Sequence, residues 1–249
     1  MKILTDGIII REQIIKESDK MVTILTRDRG IVQAYASGAK NIKSPKSTGT
    51  CLLTYSQFVL FKYKDKYTID EAHPKELFIK IRNNVEKLTL AQYFCELAGA
   101  VVQEEEESEY QLRLILNSIY FLAKGEMPDQ LIKGLFEMRL MALSGFMPEL
   151  VACHNCGCYE HDEMTFFSDS AILLCGDCAG SSKSRGIVTG KNVTMALRHC
   201  AYADFNKLFS LSLKADALPV FSKACEIYVL DKTGRKFKTL DFYKTLQSM

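Results

Sequence analysis

Cys153-His154-Asn155-Cys156 and, after eighteen intervening residues, Cys175-Gly176-Asp177-Cys178 decide how the second half of this chain is built. Two C-x2-C knuckles at this separation can fold back on each other and bring four thiolates to the corners of a tetrahedron. That is the geometry Zn²⁺ takes in a closed structural site. Four protein ligands leave no position for water, so one such zinc holds a fold together and does no chemistry. A redox C-x-x-C or unrelated thiols are the competing readings, and a second matched knuckle argues against both. Cys158 and His154 are nearby substitutes that break the symmetric pairing.

Working outward, the flanks read as helices. Leu88, Ala91, Gln92, Cys95, Leu97 and Ala98 fit one that begins near Thr89 and ends at the acidic run Glu104–Glu107. Tyr110 to Leu122 continues the helical period. Pro128-Asp129 starts another helix, which Gly145 terminates with Pro148 beyond it. Gly190 to Cys200 and Leu218 to Leu230 read as helices after the second knuckle.

The first 72 residues have a different period. Leu4–Arg11, Met21–Thr26, Ile31–Ala36, Cys51–Tyr63 and Tyr67–Ala72 are β-branched or aromatic runs. Turns at Asp28-Arg29-Gly30 and Lys64-Asp65-Lys66 punctuate them. About five short strands without a helical period predict a small closed barrel or a sandwich. Gly38 to Gly49, rich in Gly, Ser, Pro and Lys, predicts a mobile basic loop. The whole is α+β: an N-terminal β-barrel over residues 1–76 and a helical domain over 77–249, with a four-cysteine zinc-binding segment inserted at 150–182.

The 249 residues are 47% hydrophobic and 25% charged, enough to bury a sizeable core. No apolar run approaches the ~18 residues that span a bilayer. Met1 to Gly7 lacks the apolar stretch of a signal peptide. The nine cysteines are odd in number, and Cys51, Cys95, Cys200 and Cys225 stand singly in apolar surroundings. These features predict a reducing cytoplasm and no membrane. The net charge of +2 hides a division: residues 1–80 carry +5 and residues 81–150 carry −5. A basic end points to a polyanionic partner, and a solvated lysine surface is the plainer reading.

Catalytic motifs are missing. Gly186 to Asn192 imitates a phosphate loop but has three residues between its glycines where four are needed, and Asn192 where a hydroxyl should hold Mg²⁺. It reads as a helix start with Thr189 near the cap. The four histidines, His73, His154, His161 and His199, are scattered. The protein is therefore expected not to be an enzyme. Tyr35, Tyr55, Phe58, Phe61, Tyr63 and Tyr67 lie among Lys62, Lys64 and Lys66. Rings beside cations on a barrel suit single-stranded nucleic acid, and strand alternation leaves about half of them outside.

In order and spacing these residues resemble the bacterial RecO family of recombination mediators over nearly the whole length. The likeness rests on Gly7-Ile8-Ile9-Ile10-Arg11, Asp19, Leu25-Thr26, Gly30, Gly38-Ala39-Lys40 and Lys43-Ser44. It continues through Tyr93, Glu96-Leu97, Phe136, Leu140, Leu143, Gly145 and Pro148 to the knuckles with Gly157 and Phe167. Lys40 stands where the family often has arginine, and Asp169-Ser170-Ala171 where a Gly pair is usual. The resemblance implies an OB-fold, a helical domain and a zinc segment. It also implies DNA repair: binding of single- and double-stranded DNA, annealing of complementary strands, and work with RecR at the nucleoid. The family engages the tail of single-stranded DNA-binding protein and so helps load RecA onto covered strands.

On physical grounds Arg27, Arg29, Lys40, Lys43 and Lys46 are the leading DNA contacts, because two turns can bring them to one barrel end; Arg11, Lys62 and Lys66 follow. Their binding should weaken with salt as counterions are released. Annealing needs only screened repulsion between strands, without nucleotide hydrolysis. The rival readings are a zinc-stabilised, metal-dependent nuclease and a zinc-ribbon protein that reads a specific duplex sequence.

Overall fold

The structure is a computed structural model that describes residues 1–15 and 17–248. Five strands, β1 (Lys2–Ile14), β2 (Lys20–Thr26), β3 (Ile31–Ala36), β4 (Tyr55–Tyr63) and β5 (Lys66–Glu76), close into a barrel in the order β1-β2-β3-β5-β4. Only the β3–β5 seam is parallel; the other pairings are antiparallel. Alternation explains the interior: on β2, Val22 and Ile24 are buried while Met21 and Thr23 are half-buried. Ile9, Val32, Phe58, Leu60 and Ile69 complete the barrel core. Gly7 is required by close approach, since a Cβ there would lie 2.8 Å from the Leu25 carbonyl oxygen.

Two features of the barrel differ from expectation. The fourth strand begins at Tyr55, not Cys51, because Thr48–Thr50 forms a 3-10 turn and Leu53 turns the chain at φ +63°. The basic loop is a staircase of turns. Asn41 N–H donates to Gly38 O, Ser44 to Asn41 O and Ser47 to Ser44 O. The staircase is tied down at Lys40 N–H, which donates to Ser18 O, and at Lys46 Nζ, which donates to Ile69 O.

Helices follow: α1 (Ile79–Arg82), α2 (Val85–Val101), α3 (Glu109–Lys124) and α4 (Asp129–Leu143). α2 starts a turn earlier than Thr89 because the Asn84 side chain caps it, accepting from Lys87 N–H. α4 ends as the sequence implies: Gly145 takes φ +89° and Phe146 N–H donates to Met141 O, a glycine-terminated cap. Beyond it come β6 (Glu163–Phe167), β7 (Ile172–Cys175), α5 (Gly176–Ala179), β8 (Ile187–Gly190), α6 (Lys191–Tyr202), α7 (Leu218–Thr233) and α8 (Lys238–Gln247). The three strands form a small sheet in the order β7-β6-β8, so the knuckles sit on a sheet and not directly between helices. The Gly186–Asn192 stretch is accordingly strand, then helix. Gly190 occupies the cap of α6, and Thr189 Oγ1 donates to Met164 O instead.

The chain divides into two compact units, Met1–Lys124 with Phe237–Met249, and Gly125–Lys236. The change from strand to helix after Glu76 and this division by packing do not coincide, because α8 lies on α2 and α2 on β1. In the second unit α4 packs on α6 and α7, and Gly134 admits the Phe221 ring where a Cβ would come within 2.5 Å. Lys133 is buried there between Glu137 at 2.9 Å and Glu226 at 3.0 Å. Among the described residues no helix is long and apolar enough to cross a membrane.

Candidate metal centre and nucleic-acid interface

In the second unit the sequence builds the cysteine cluster from three pieces. Cys153 and Cys156 lie in a tight turn in which Gly157, at φ +71°, donates its N–H to Cys153 O. Cys175 ends β7, where it pairs with Met164 of β6, and Cys178 lies on the single turn of α5. His154 N–H donates to Leu173 O, which ties the first knuckle to β7. Arg198 of α6 stacks over the Tyr159 ring at 4.2 Å and donates to the carbonyls of Leu150 and Tyr159.

The four sulfur atoms all lie within 4.8 Å of one another, and Cys156 Sγ is 3.7 Å from Cys175 Sγ. A tetrahedron with metal–sulfur bonds of about 2.3 Å has edges of about 3.8 Å. Burial pushes the Cys153 thiol up, but N–H groups of Cys156, Cys175 and Asn155 bring it down to about 6. Its neighbours Cys156 and Cys175 push Cys178 up to about 12. Four thiolates this close repel one another unless a cation lies between them, so the donor set fits a metal ion and is consistent with zinc. Cys158 stands apart, donating to Glu160 O, and His154 pairs with Glu149 at 2.8 Å.

In the barrel unit the eight basic residues do not gather. β2 and β3 are antiparallel, so the Arg27–Gly30 turn lies at one end of their hairpin. Ser37 and the lysine loop leave from the other end. The expectation of one shared barrel end for Arg27, Arg29, Lys40, Lys43 and Lys46 is thereby corrected. Arg27 pairs with Asp6 at 2.7 Å, and Lys75 reaches the other oxygen of that carboxylate. Arg29 and Lys62 both pair with Glu105, at 3.1 and 2.5 Å. Among the described residues Arg11, Lys40, Lys43 and Lys66 are exposed and make no ion pair.

Glu105 was not legible as anything but part of an acidic run. Its strap crosses the β2–β3 turn: Ile31 N–H donates to Gln103 O, Glu105 N–H to Arg29 O and Ser108 N–H to Arg27 O. Lys62, then Tyr67, hold its carboxyl down to about 2, with Arg29 adding to them. Gly30 at φ +57° sits under this strap, where a Cβ would collide with Gln103 O.

The aromatic residues also separate. Phe58 and Tyr67 are core, whereas Phe61 and Tyr63 stand outside. A further feature of the second unit that the sequence left unassigned is a groove of about 910 Å³. Val151, Met195, Tyr202, Leu211 and Leu213 line it, with Arg198, His199 and Lys214 among its walls.

The chain joins a closed five-stranded barrel, helices and a four-cysteine cluster, and comparison with known sequences places that combination among DNA-recombination proteins. Residues 1–78 match the model of the Recombination protein O N terminal region, and residues 82–241 that of the Recombination protein O C terminal region. The chain belongs to the RecO family, with a role in DNA repair. It is 34% identical to DNA repair protein RecO of Acetivibrio thermocellus over 97% of this chain and 96% of that protein. It is 28% identical to DNA repair protein RecO of Caldicellulosiruptor saccharolyticus over 97% of each.

Proposed function

We propose that the protein is a recombination mediator that binds single- and double-stranded DNA and anneals complementary strands. It acts with RecR, engages the tail of single-stranded DNA-binding protein, and so helps RecA onto covered strands in the cytoplasm, at the nucleoid. The observation that carries this reading is the set of exposed cations Arg11, Lys40, Lys43 and Lys66, without an ion pair among the described residues, on a closed barrel in a member of this family. Lys40 and Lys43 project from a backbone already folded into turns, so little ordering cost opposes a phosphate contact. Lys46, Arg27, Arg29 and Lys62 complete the proposed set, the last three after exchanging a carboxylate for a phosphate.

Cys153, Cys156, Cys175 and Cys178 hold one structural Zn²⁺. Its closed coordination supplies folding energy and no open site for a substrate. The groove between Val151 and Lys214 suits an acidic peptide with an apolar end, because apolar walls meet the exposed ammonium of Lys214.

The test is a titration with single-stranded DNA at two salt concentrations, with and without RecR, followed by an annealing assay. Salt-sensitive binding and RecR-dependent annealing are expected. Metal-dependent cutting of labelled DNA that a point mutation abolishes, or a large preference for one duplex sequence, would replace this reading with the nuclease or the zinc-ribbon one.

A further inference from the structure

Phe61 and Tyr63 are 51% and 67% exposed, although a barrel core that takes Phe58 completely lies directly beneath them. They alternate on β4, so both rings leave the same face, with their Cα atoms about 6.8 Å apart. That spacing is about twice the 3.4 Å rise of stacked bases. Each ring has an ammonium across the strand: Lys2 pairs in register with Phe61, and Lys66 with Tyr63. Lys64 Nζ adds a third cation, 5.8 Å from the Tyr63 ring centroid. Lys2 pairs with Asp70 at 3.6 Å in an exposed contact of little strength, and Lys66 has no ion pair among the described residues. Against Lys2, Lys64 and Lys66 the face sets the carboxylates Asp65, Asp70 and Glu71, so its charge balances overall, and the groups in register with the two rings are the ammonium groups of Lys2 and Lys66. Leu4, 64% exposed, continues it along β1.

We infer that this face is a stacking platform for unpaired bases of single-stranded nucleic acid, with Phe61 and Tyr63 under the bases and Lys2, Lys64 and Lys66 beside the phosphates. The inference rests on the DNA-binding reading above and assigns to it the residues that distinguish single strands from duplex. A duplex hides base faces in its own stack, so rings contribute only where bases are free, whereas the lysines serve both forms. The alternation of ring and ammonium matches a polyanion that carries flat apolar groups at every repeat.

The experiment compares wild type with Phe61→Ala/Tyr63→Ala and with Phe61→Leu/Tyr63→Leu, which keeps apolar area and removes the π face. The probes are an oligo-dT strand and a duplex of equal length. Both side chains are exposed, so circular dichroism should match wild type. Single-strand affinity should fall about tenfold or more in both variants. Duplex affinity should stay within about twofold, because its phosphate contacts are intact. Unchanged single-strand affinity, an equal loss on both probes, or full rescue by the leucine pair would overturn the platform while leaving DNA binding in place. Wild-type protein that binds neither probe would overturn the DNA-binding reading and the platform together. A change in oligomeric state with unaltered DNA binding would give the face to self-association and overturn the proposal.

Discussion

The Glu105 carboxylate lies 2.5 Å from the Lys62 ammonium, and its other oxygen 3.1 Å from Arg29, so one acidic residue occupies two of the barrel's cations. It holds them as a phosphate would. The same contacts fasten the α2–α3 connection over the β2–β3 turn.

Glu105→Gln should therefore raise affinity for single-stranded DNA, by a few-fold at low salt, because Arg29 and Lys62 are released. It should also lower stability modestly, since Glu105 is 46% exposed and solvent screens its pairs. The folded-state pKa is depressed from 4.5 to about 2, so this contribution is complete above pH 4.5 and disappears as pH falls through 2. Thermal melts of both proteins between pH 7 and pH 2 should converge at the acid end; parallel curves would count against the clamp.

Cys175→Ser should lose the metal and destabilise the Gly125–Lys236 unit, since at such a site binding energy is largely folding energy. Elemental analysis of wild type should find one zinc per chain. Cys158→Ser should retain it, because that sulfur lies outside the cluster and donates to Glu160 O. Metal-free wild type of full stability, beside a control protein that keeps its zinc, would exclude the centre.

Lys40→Ala/Lys43→Ala should weaken binding to unrelated single strands by similar factors. The salt slope should flatten by about 1.4, from two phosphate contacts at about 0.7 each. Adding Lys46→Ala brings a structural cost as well, because its ammonium donates to Ile69 O. An unaltered slope in the double variant would move the backbone contacts elsewhere, to Lys183–Arg185 or Arg235–Lys238 first.

Lys133→Ala should be severely destabilising, by about 3–5 kcal/mol, because it deprives the buried Glu137 carboxylate and the partly buried Glu226 carboxylate of their ammonium. Lys133→Met with Glu137→Gln and Glu226→Gln should recover much of that loss. Urea midpoints of the single and triple variants make the comparison.

Much of this molecule was legible because period and spacing are local properties. Alternation on β2 and β3, the glycine stop at Gly145 and the two knuckles are all written in adjacent residues. Other features depend on backbone turns that composition does not record. Cys51 to Thr54 has strand-like residues, yet Leu53 at φ +63° turns the chain. Four glutamates in a row look alike, and among the described residues Glu105, itself at φ +59°, is the one whose carboxylate pairs with barrel cations. β7 and β8, at four residues each, are too short for their alternation to separate them from a loop. Two turns can carry cations towards one end or towards opposite ends, and the antiparallel pairing of β2 with β3 decides which.

α8 also sets a condition on how the protein is made. Phe237 packs against the Tyr93 ring at 5.7 Å, and Glu96 accepts from the N–H groups of Lys238 and Thr239. These residues emerge from the ribosome only after the whole of Gly125–Lys236 has been synthesised. At ordinary elongation rates that delay is on the order of ten seconds. Throughout it, the nascent barrel-side unit carries an uncovered patch on α2, a binding opportunity for chaperones that closes with the last helix.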